Sequence, residues 1–205
     1  MPDREAILNG YRAVADQLVI PFEDVDSAAW LAPILDLLPD GPARVLDLGA
    51  GTGRDAAWLS RRGFDVTAVE PVAALREAGQ RLHHAVGITW VDDVLPELIR
   101  FSPDAEAFDL LMSVGVWHHI PPLNRALAWS RCYDLTQPGG RLIVSLRHGP
   151  TKPDRPGFPV DTDQSIEQAK DAGFVLKRQR KAESLQIGNR ATGVYWTWLV
   201  FFRPE

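Results

Sequence analysis

Val45-Leu46-Asp47-Leu48-Gly49-Ala50-Gly51-Thr52-Gly53-Arg54-Asp55-Ala56 is the stretch whose reading sets everything else in this chain. A β-branched and aliphatic run ends beside an acid, breaks into glycines at alternate positions and passes into residues with helical spacing: strand, tight loop, helix. A buried parallel strand delivers its carboxyl end to the N-terminus of the next helix, where unpaired N–H groups favour an anionic or polar ligand. Glycine at 49, 51 and 53 lets a ligand touch the backbone and tolerates positive φ. A glycine-rich turn also ends strands for geometric reasons alone. A dinucleotide fingerprint beginning at Gly49 needs glycine at position 54, and Arg54 stands there.

Outward from this loop, short apolar runs alternate with helical stretches. Strands are expected at 44–48, 65–70, 88–91, 108–114 and 141–146, with helices at 54–62, 72–83, 122–135 and 162–172 and a short one near 96–101. Gly63 and Gly173 suit helix C-termini, and Pro71 and Pro122 suit helix starts. Alternating βα units give a doubly wound parallel sheet with helices on both faces. The last strands, near 174–181 and 193–203, have no expected helix between them, so the final strand should run antiparallel. Upstream, three-to-four spacing of apolar residues marks helices at 4–19 and 27–38, with Ser27 as N-cap and Pro39-Asp40-Gly41-Pro42 as the stop. The economical division is one domain over 1–205, with a helical cap at 1–40 and an α/β core at 44–205.

In open α/β sheets the ligand lies beyond the carboxyl ends of the strands. The second strand ends in Glu70, about 20 residues past the glycine loop, where a carboxylate can accept from both hydroxyls of a ribose. The third ends in Asp92-Asp93. One of these could take an exocyclic adenine N–H, with Val94 and Leu95 as an apolar wall. Asp92 is the favoured one, with Asp93 the alternative, and the other would cap a turn. The fourth runs into Val114-Gly115-Val116-Trp117-His118-His119-Ile120-Pro121-Pro122, bringing the first aromatic and titratable groups near a ligand's reactive end.

The chain has 205 residues, 45% of them hydrophobic and 24% charged, with a formal net charge of −5. That balance argues against a general binder of nucleic acid or anionic membrane. No apolar run approaches bilayer length, and Met1-Pro2-Asp3-Arg4-Glu5 carries no signal pattern, so a cytoplasmic protein is expected. The single Cys132 can form neither an internal disulfide nor a cysteine metal cluster, and no metal site is expected. The sequence says nothing of oligomeric state.

Five segments in order, VLDLGAGTGRDA (45–56), VTAVEP (66–71), WVDDVLP (90–96), FDLLMSVGVWHHIPP (108–122) and LTQPGGRLIVSLRHGP (135–150), resemble the class I S-adenosylmethionine-dependent methyltransferases of the type 11/12/25-like branch. The resemblance implies a Rossmann-like seven-stranded sheet of order 3-2-1-4-5-7-6 with strand 7 antiparallel, S-adenosylmethionine as cofactor and S-adenosylhomocysteine as product. It implies that Gly49, Ala50 and Gly51 face the methionine part and Asp47 holds its amino group. Glu70 would bind the ribose, Pro71 and Val94 would flank adenine, Asp92 or Asp93 would take its amino group, and Ser113 and Val114 would lie near the methionyl moiety. Arg54 would pair with the cofactor carboxylate or with an acid of the N-terminal helices. Tyr11 would close over the cofactor or pack in the core.

A sulfonium already makes its methyl electrophilic, so no universal catalytic residue is required. For an acceptor that must lose a proton, His118, His119 and His148 are candidate bases, the alternative for the first two being that they simply start the next helix. Trp117 is read as a wall of the acceptor pocket. Arg147 could clamp an acceptor carboxylate or make a structural ion pair, beside His148 and ahead of a proline- and glycine-rich loop long enough for a lid. Trp196 and Trp198 share a face and are expected to pack under a helix. The function expected is methyl transfer to a small molecule. The alternatives are a non-catalytic cofactor-binding module and a nicotinamide-dependent oxidoreductase, the latter weakened by Arg54.

Overall fold

A computed structural model describes residues 4–102 and 107–205. Residues 1–3, the start of the expected cap and of the stretch read for a leader, lie outside the described residues. The elements are α1 (Arg4–Glu23), α2 (Ser27–Leu31), β1 (Arg44–Leu48), α3 (Arg54–Ser60), β2 (Asp65–Val69), α4 (Ala73–Leu82) and β3 (Ile88–Val91). These are followed by β4 (Phe108–Val114), α5 (Arg125–Leu135), β5 (Thr136–His148), α6 (Thr162–Asp171), β6 (Val175–Glu183), α7 (Ile187–Ala191) and β7 (Tyr195–Phe202). They form one seven-stranded sheet of order β3-β2-β1-β4-β5-β7-β6. β1 to β5 pair in parallel, and β7 runs antiparallel to both β5 and β6. Order and direction are those the resemblance implied.

The sheet is covered on both faces, and the alternation within each strand shows it. Leu46 and Leu48 of β1, Leu111 of β4, Leu142 and Val144 of β5 and Leu199 and Phe201 of β7 join Trp129 and Cys132 of α5 and Ile166 of α6. Their alternates Val45, Leu110, Met112, Ile143, Trp198 and Val200 join Leu31 of α2 and Ala56 and Leu59 of α3. A third cluster, Ala15 and Leu18 with Val72 and Leu75, docks α1 on α4. Burial pushes the Cys132 thiol up to about 12, leaving it an inert core residue. Among the described residues, no helix is long and apolar enough to cross a membrane.

Four local expectations are corrected. The helix expected at 27–38 ends at Leu31, because Pro33 cannot continue the ladder, and a 3-10 turn covers Leu35–Leu37. Its N-cap is Asp26, whose Oδ1 accepts the Ala29 N–H at 2.7 Å, while Ser27 donates to Asp55 at 2.7 Å. The helix expected near 96–101 is a set of turns with Leu98 at φ 45°. The connection between β6 and β7 carries the short helix α7. In addition, α1 runs on to Glu23, with Pro21 inside its last turn.

Candidate functional site

The carboxyl ends of β1, β2 and β4 open into one cavity of about 500 Å³, roofed by α1 and by the chain after β5. α1 turns Ile7, Tyr11, Val14, Leu18 and Phe22 toward it, residues three or four apart and therefore on one side. The loop after β5 supplies Thr151, Lys152, Asp154 and Arg155. It is fastened by Phe158 N–H donating to the His118 carbonyl at 2.7 Å and by the buried Arg125, which donates to the Ile120 and Pro159 carbonyls at 3.2 and 3.0 Å. A Cβ on Gly10 would stand 1.9 Å from the Asp154 carbonyl oxygen, so only glycine lets roof helix and loop meet.

The floor is the glycine loop. Gly49, Gly51 and Gly53 all have φ between 59° and 76°. At Gly49 and Gly53 packing alone forbids a side chain, since a Cβ would lie 2.4 Å from Val116 and 2.5 Å from Trp90. The Gly51 N–H donates to Glu70 Oε2 and the Val72 N–H to Glu70 Oε1, each at 2.8 Å. This fixes the carboxylate against the loop and leaves each oxygen further acceptor capacity. The carboxyl of Asp47, a residue only 4% exposed, takes no hydrogen bond from the described residues. Burial, with Asp55 adding and Arg54 opposing, pushes its carboxyl from 3.8 to about 8. Burial likewise raises Glu70 from 4.5 to about 7, against the two backbone N–H groups. Two buried carboxyls on one cavity, one without a donor, fit a ligand that brings a cation and hydroxyl donors.

Of the expected residues, Tyr11, Asp47, Gly49, Ala50, Gly51, Arg54, Glu70, Pro71, Asp93, Val94, Val114, His118, His119 and Arg147 line this cavity. Asp92 does not: its side chain is 62% exposed and pairs with Arg76 at 3.1 Å. Asp93 is the inward acid, accepting the Val94 and Arg100 N–H groups at 2.8 and 2.7 Å. Arg54 makes no ion pair with an acid of the N-terminal helices among the described residues, although its charge helps lower the Glu23 carboxyl. It clamps neighbouring Asp55 at 2.9 and 2.7 Å and donates to the Phe22 carbonyl at 2.9 Å, stitching the loop to the end of α1. Ser113 is fully buried beneath the cavity. Trp117 is core, fully buried with its ring centroid 4.1 Å from that of Trp129, because the 3-10 turn Trp117–His119 points it inward. His148 faces away, bonded to Thr197 Oγ1 at 3.0 Å and stacked on Tyr195.

His118 and His119 stand in that turn rather than starting α5. His119 Nδ1 meets the Pro156 carbonyl at 3.1 Å and so carries the proton, which assigns Nε2 as the acceptor of the Tyr11 hydroxyl at 2.8 Å. Burial lowers His119 to about 4 and His118 well below the usual range, so both are neutral near pH 7; burial raises Tyr11 to about 12. Sequence reasoning missed Arg155, Val116, Leu98 and Trp196, the last expected only to pack; it does meet Trp30 edge-on but also lines the cavity. The basic lid loop was a signal for Arg155, and nothing local marked Leu98. Among the described residues no group of three or more His, Cys, Asp or Glu could hold a metal ion.

Residues 23–195 match a family model described as a methyltransferase domain. The chain is 41% identical over 122 residues to an uncharacterized methyltransferase of Mycobacterium tuberculosis, covering 55% of this chain and 58% of that one. It is 35% identical over 106 residues to a ubiquinone biosynthesis O-methyltransferase of Xylella fastidiosa, covering 50% and 41%. The chain thus spans about two fifths to three fifths of the length of the curated relatives it matches. Among solved structures, a 1,6-didemethyltoxoflavin-N1-methyltransferase of Burkholderia thailandensis with bound S-adenosylhomocysteine superposes with a TM-score of 0.76 at 21% identity, covering 98% of this chain and 88% of that one. That likeness concerns the fold.

Proposed function

The chain belongs to the methyltransferase-domain family, and on that premise we propose that it transfers a methyl group from S-adenosylmethionine to a small molecule, cap 1–40 and core 44–205 acting as one domain. The observation that carries this reading is the pair of buried carboxyls, Asp47 and Glu70, facing one cavity beside the glycine loop. Glu70 accepts the ribose hydroxyls and Asp47 the amino group. Asp93 with Val94 takes the edge of adenine, between Pro71 and the apolar Leu95 and Leu98. S-adenosylmethionine supplies an electrophilic methyl, so this chain's share is to align the acceptor, exclude water and manage a proton.

The roof of α1 and the lid loop excludes water. Tyr11 and His119 manage the proton: an acceptor O–H or N–H gives its proton to Tyr11 Oη while the Tyr11 proton passes to His119 Nε2, leaving an imidazolium. Calorimetry with S-adenosylhomocysteine tests the cofactor assignment. Binding in the micromolar range supports it, and silence at millimolar ligand removes it. A screen of small-molecule acceptors with labelled S-adenosylmethionine then separates an enzyme from a binding module.

A further inference from the structure

Toward the β5 and β7 side of the cavity stand two half-buried arginines, and two buried donor atoms beside them, Arg155 Nε and Trp196 Nε1, have no acceptor. Arg147, at the end of β5, spends one guanidinium nitrogen on the Pro150 carbonyl at 2.8 Å and has no carboxylate within 4 Å among the described residues. Arg155 lies over the Tyr11 ring at 5.5 Å, donates to the Tyr11 hydroxyl and pairs loosely with Asp154 at 3.7 Å, but its Nε is buried without a hydrogen bond. Trp196 pairs directly with Arg147 across β5 and β7, which puts both side chains on one side of the sheet, and its indole N–H is buried and unpartnered. Lys152 stands exposed at the cavity's mouth. Guanidinium and indole N–H groups donate and never accept, and buried donors left open call for an explanation. What completes them is an acceptor-only group.

Resting on the methyltransferase reading, we infer that the methyl acceptor is a small organic acid whose carboxylate is gripped by Arg147 and Arg155 beside the Trp196 N–H. Planar guanidinium groups match a carboxylate with two parallel hydrogen bonds. The cofactor also has a carboxylate, but position separates the two. Asp47 is on β1, whereas Arg147 and Trp196 are on strands two and three places along the sheet, about 10 and 14 Å at ordinary strand spacing. The charges of Arg147 and Arg155 bear on Tyr11 and His119, while the cation that bears on Asp47 is Arg54. The two ends of the cavity thus differ in kind, with the carboxyls of Asp47 and Glu70 toward the cofactor and the guanidiniums of Arg147 and Arg155 toward the acceptor; Tyr11 stands between them, feeling Arg155, Glu70 and Arg147, and Asp154 partly offsets the cations.

The test uses the full chain saturated with S-adenosylhomocysteine and a panel of monocarboxylates from acetate to salicylate, each against its amide, by calorimetry. The expected result is at least one acid binding about tenfold or more tighter than its amide. Arg147→Gln and Arg155→Gln should each erase that preference, Arg147→Lys should restore part of it, and S-adenosylhomocysteine affinity should change less than about threefold. Equal binding of acids and amides overturns the inference. So does a tenfold loss of S-adenosylhomocysteine affinity in Arg147→Gln with unchanged affinity for 5′-methylthioadenosine, which lacks the amino-acid part, since the cations would then hold the cofactor. Failure of the wild type to bind S-adenosylhomocysteine removes the methyltransferase reading and this inference with it, whereas binding without acid preference removes the inference alone.

Discussion

Glu70 and Asp47 do different work although both are buried acids at neighbouring strand ends. Glu70 is held by two backbone N–H groups and is oriented before any ligand arrives. Charge-assisted hydrogen bonds contribute about 1.5–3 kcal/mol, so Glu70→Gln should weaken S-adenosylhomocysteine binding about 10- to 100-fold in calorimetry. Asp47 is raised to about 8 in the ligand-free protein, so a ligand bringing an ammonium must first expel its proton. Affinity should therefore rise about tenfold or more between pH 6.5 and 8, and Asp47→Asn should flatten that rise and bind weakly throughout. Glu70 was legible in the sequence from its position after β2, and Asp47 through the resemblance of the glycine-loop segment. The choice between Asp92 and Asp93 was not, because two adjacent residues in extended chain point opposite ways and only the finished fold shows which way is inward.

α1 is the element that turns a crevice into a chamber. Its lining residues sit above the glycine loop, Arg54 ties its end to α3 through the Phe22 carbonyl, and Gly10 meets the lid backbone at Asp154. An alanine in place of a helix glycine ordinarily gains about 1 kcal/mol, and here that gain is opposed by a clash with backbone. Gly10→Ala should leave α1 intact while prising the lid away. Hydrogen exchange should show amides at 151–158 losing protection, with acceptor turnover falling more than cofactor affinity. The amphipathic spacing of α1 was readable from the chain; its partner was not, since a loop without periodicity gives no sign of where it lies. Trp117 illustrates the same limit. Its position after β4 suggested a pocket wall, and one tight turn rotates it into the core against Trp129.

The ligand-free molecule holds two protonated acids in its interior, and its stability should show it. Asp47 and Glu70 have folded values above their ordinary ones, so the folded state binds protons that the unfolded chain releases, and their contribution declines as pH rises through about 7 and 8. Between about pH 6.5 and 7.5 the buried histidines, neutral when folded but still partly charged in the unfolded chain, oppose this in part, and from about pH 7.5 they are neutral in both states. The melting temperature should thus fall from pH 6.5 to 8 without ligand, and the Asp47→Asn, Glu70→Gln double variant should lose most of the dependence. S-adenosylhomocysteine at one hundred times its Kd should add about 2.7 kcal/mol, roughly 5–10 °C for a chain of this size. By itself the sequence determined the alternating βα units, the glycine loop and the acid that follows β2, because apolar runs and glycine spacing are local signals, while the strand order entered only through the resemblance to the methyltransferases. Arg147 was readable as a strand-end cation, but the closure of the chamber, the inward acid and the placing of Arg155 and Trp196 beside Arg147 came from contacts between residues far apart in the chain. Such contacts leave no local pattern, so they become visible only once the sheet has brought β5, β7 and the lid to one edge of the cavity.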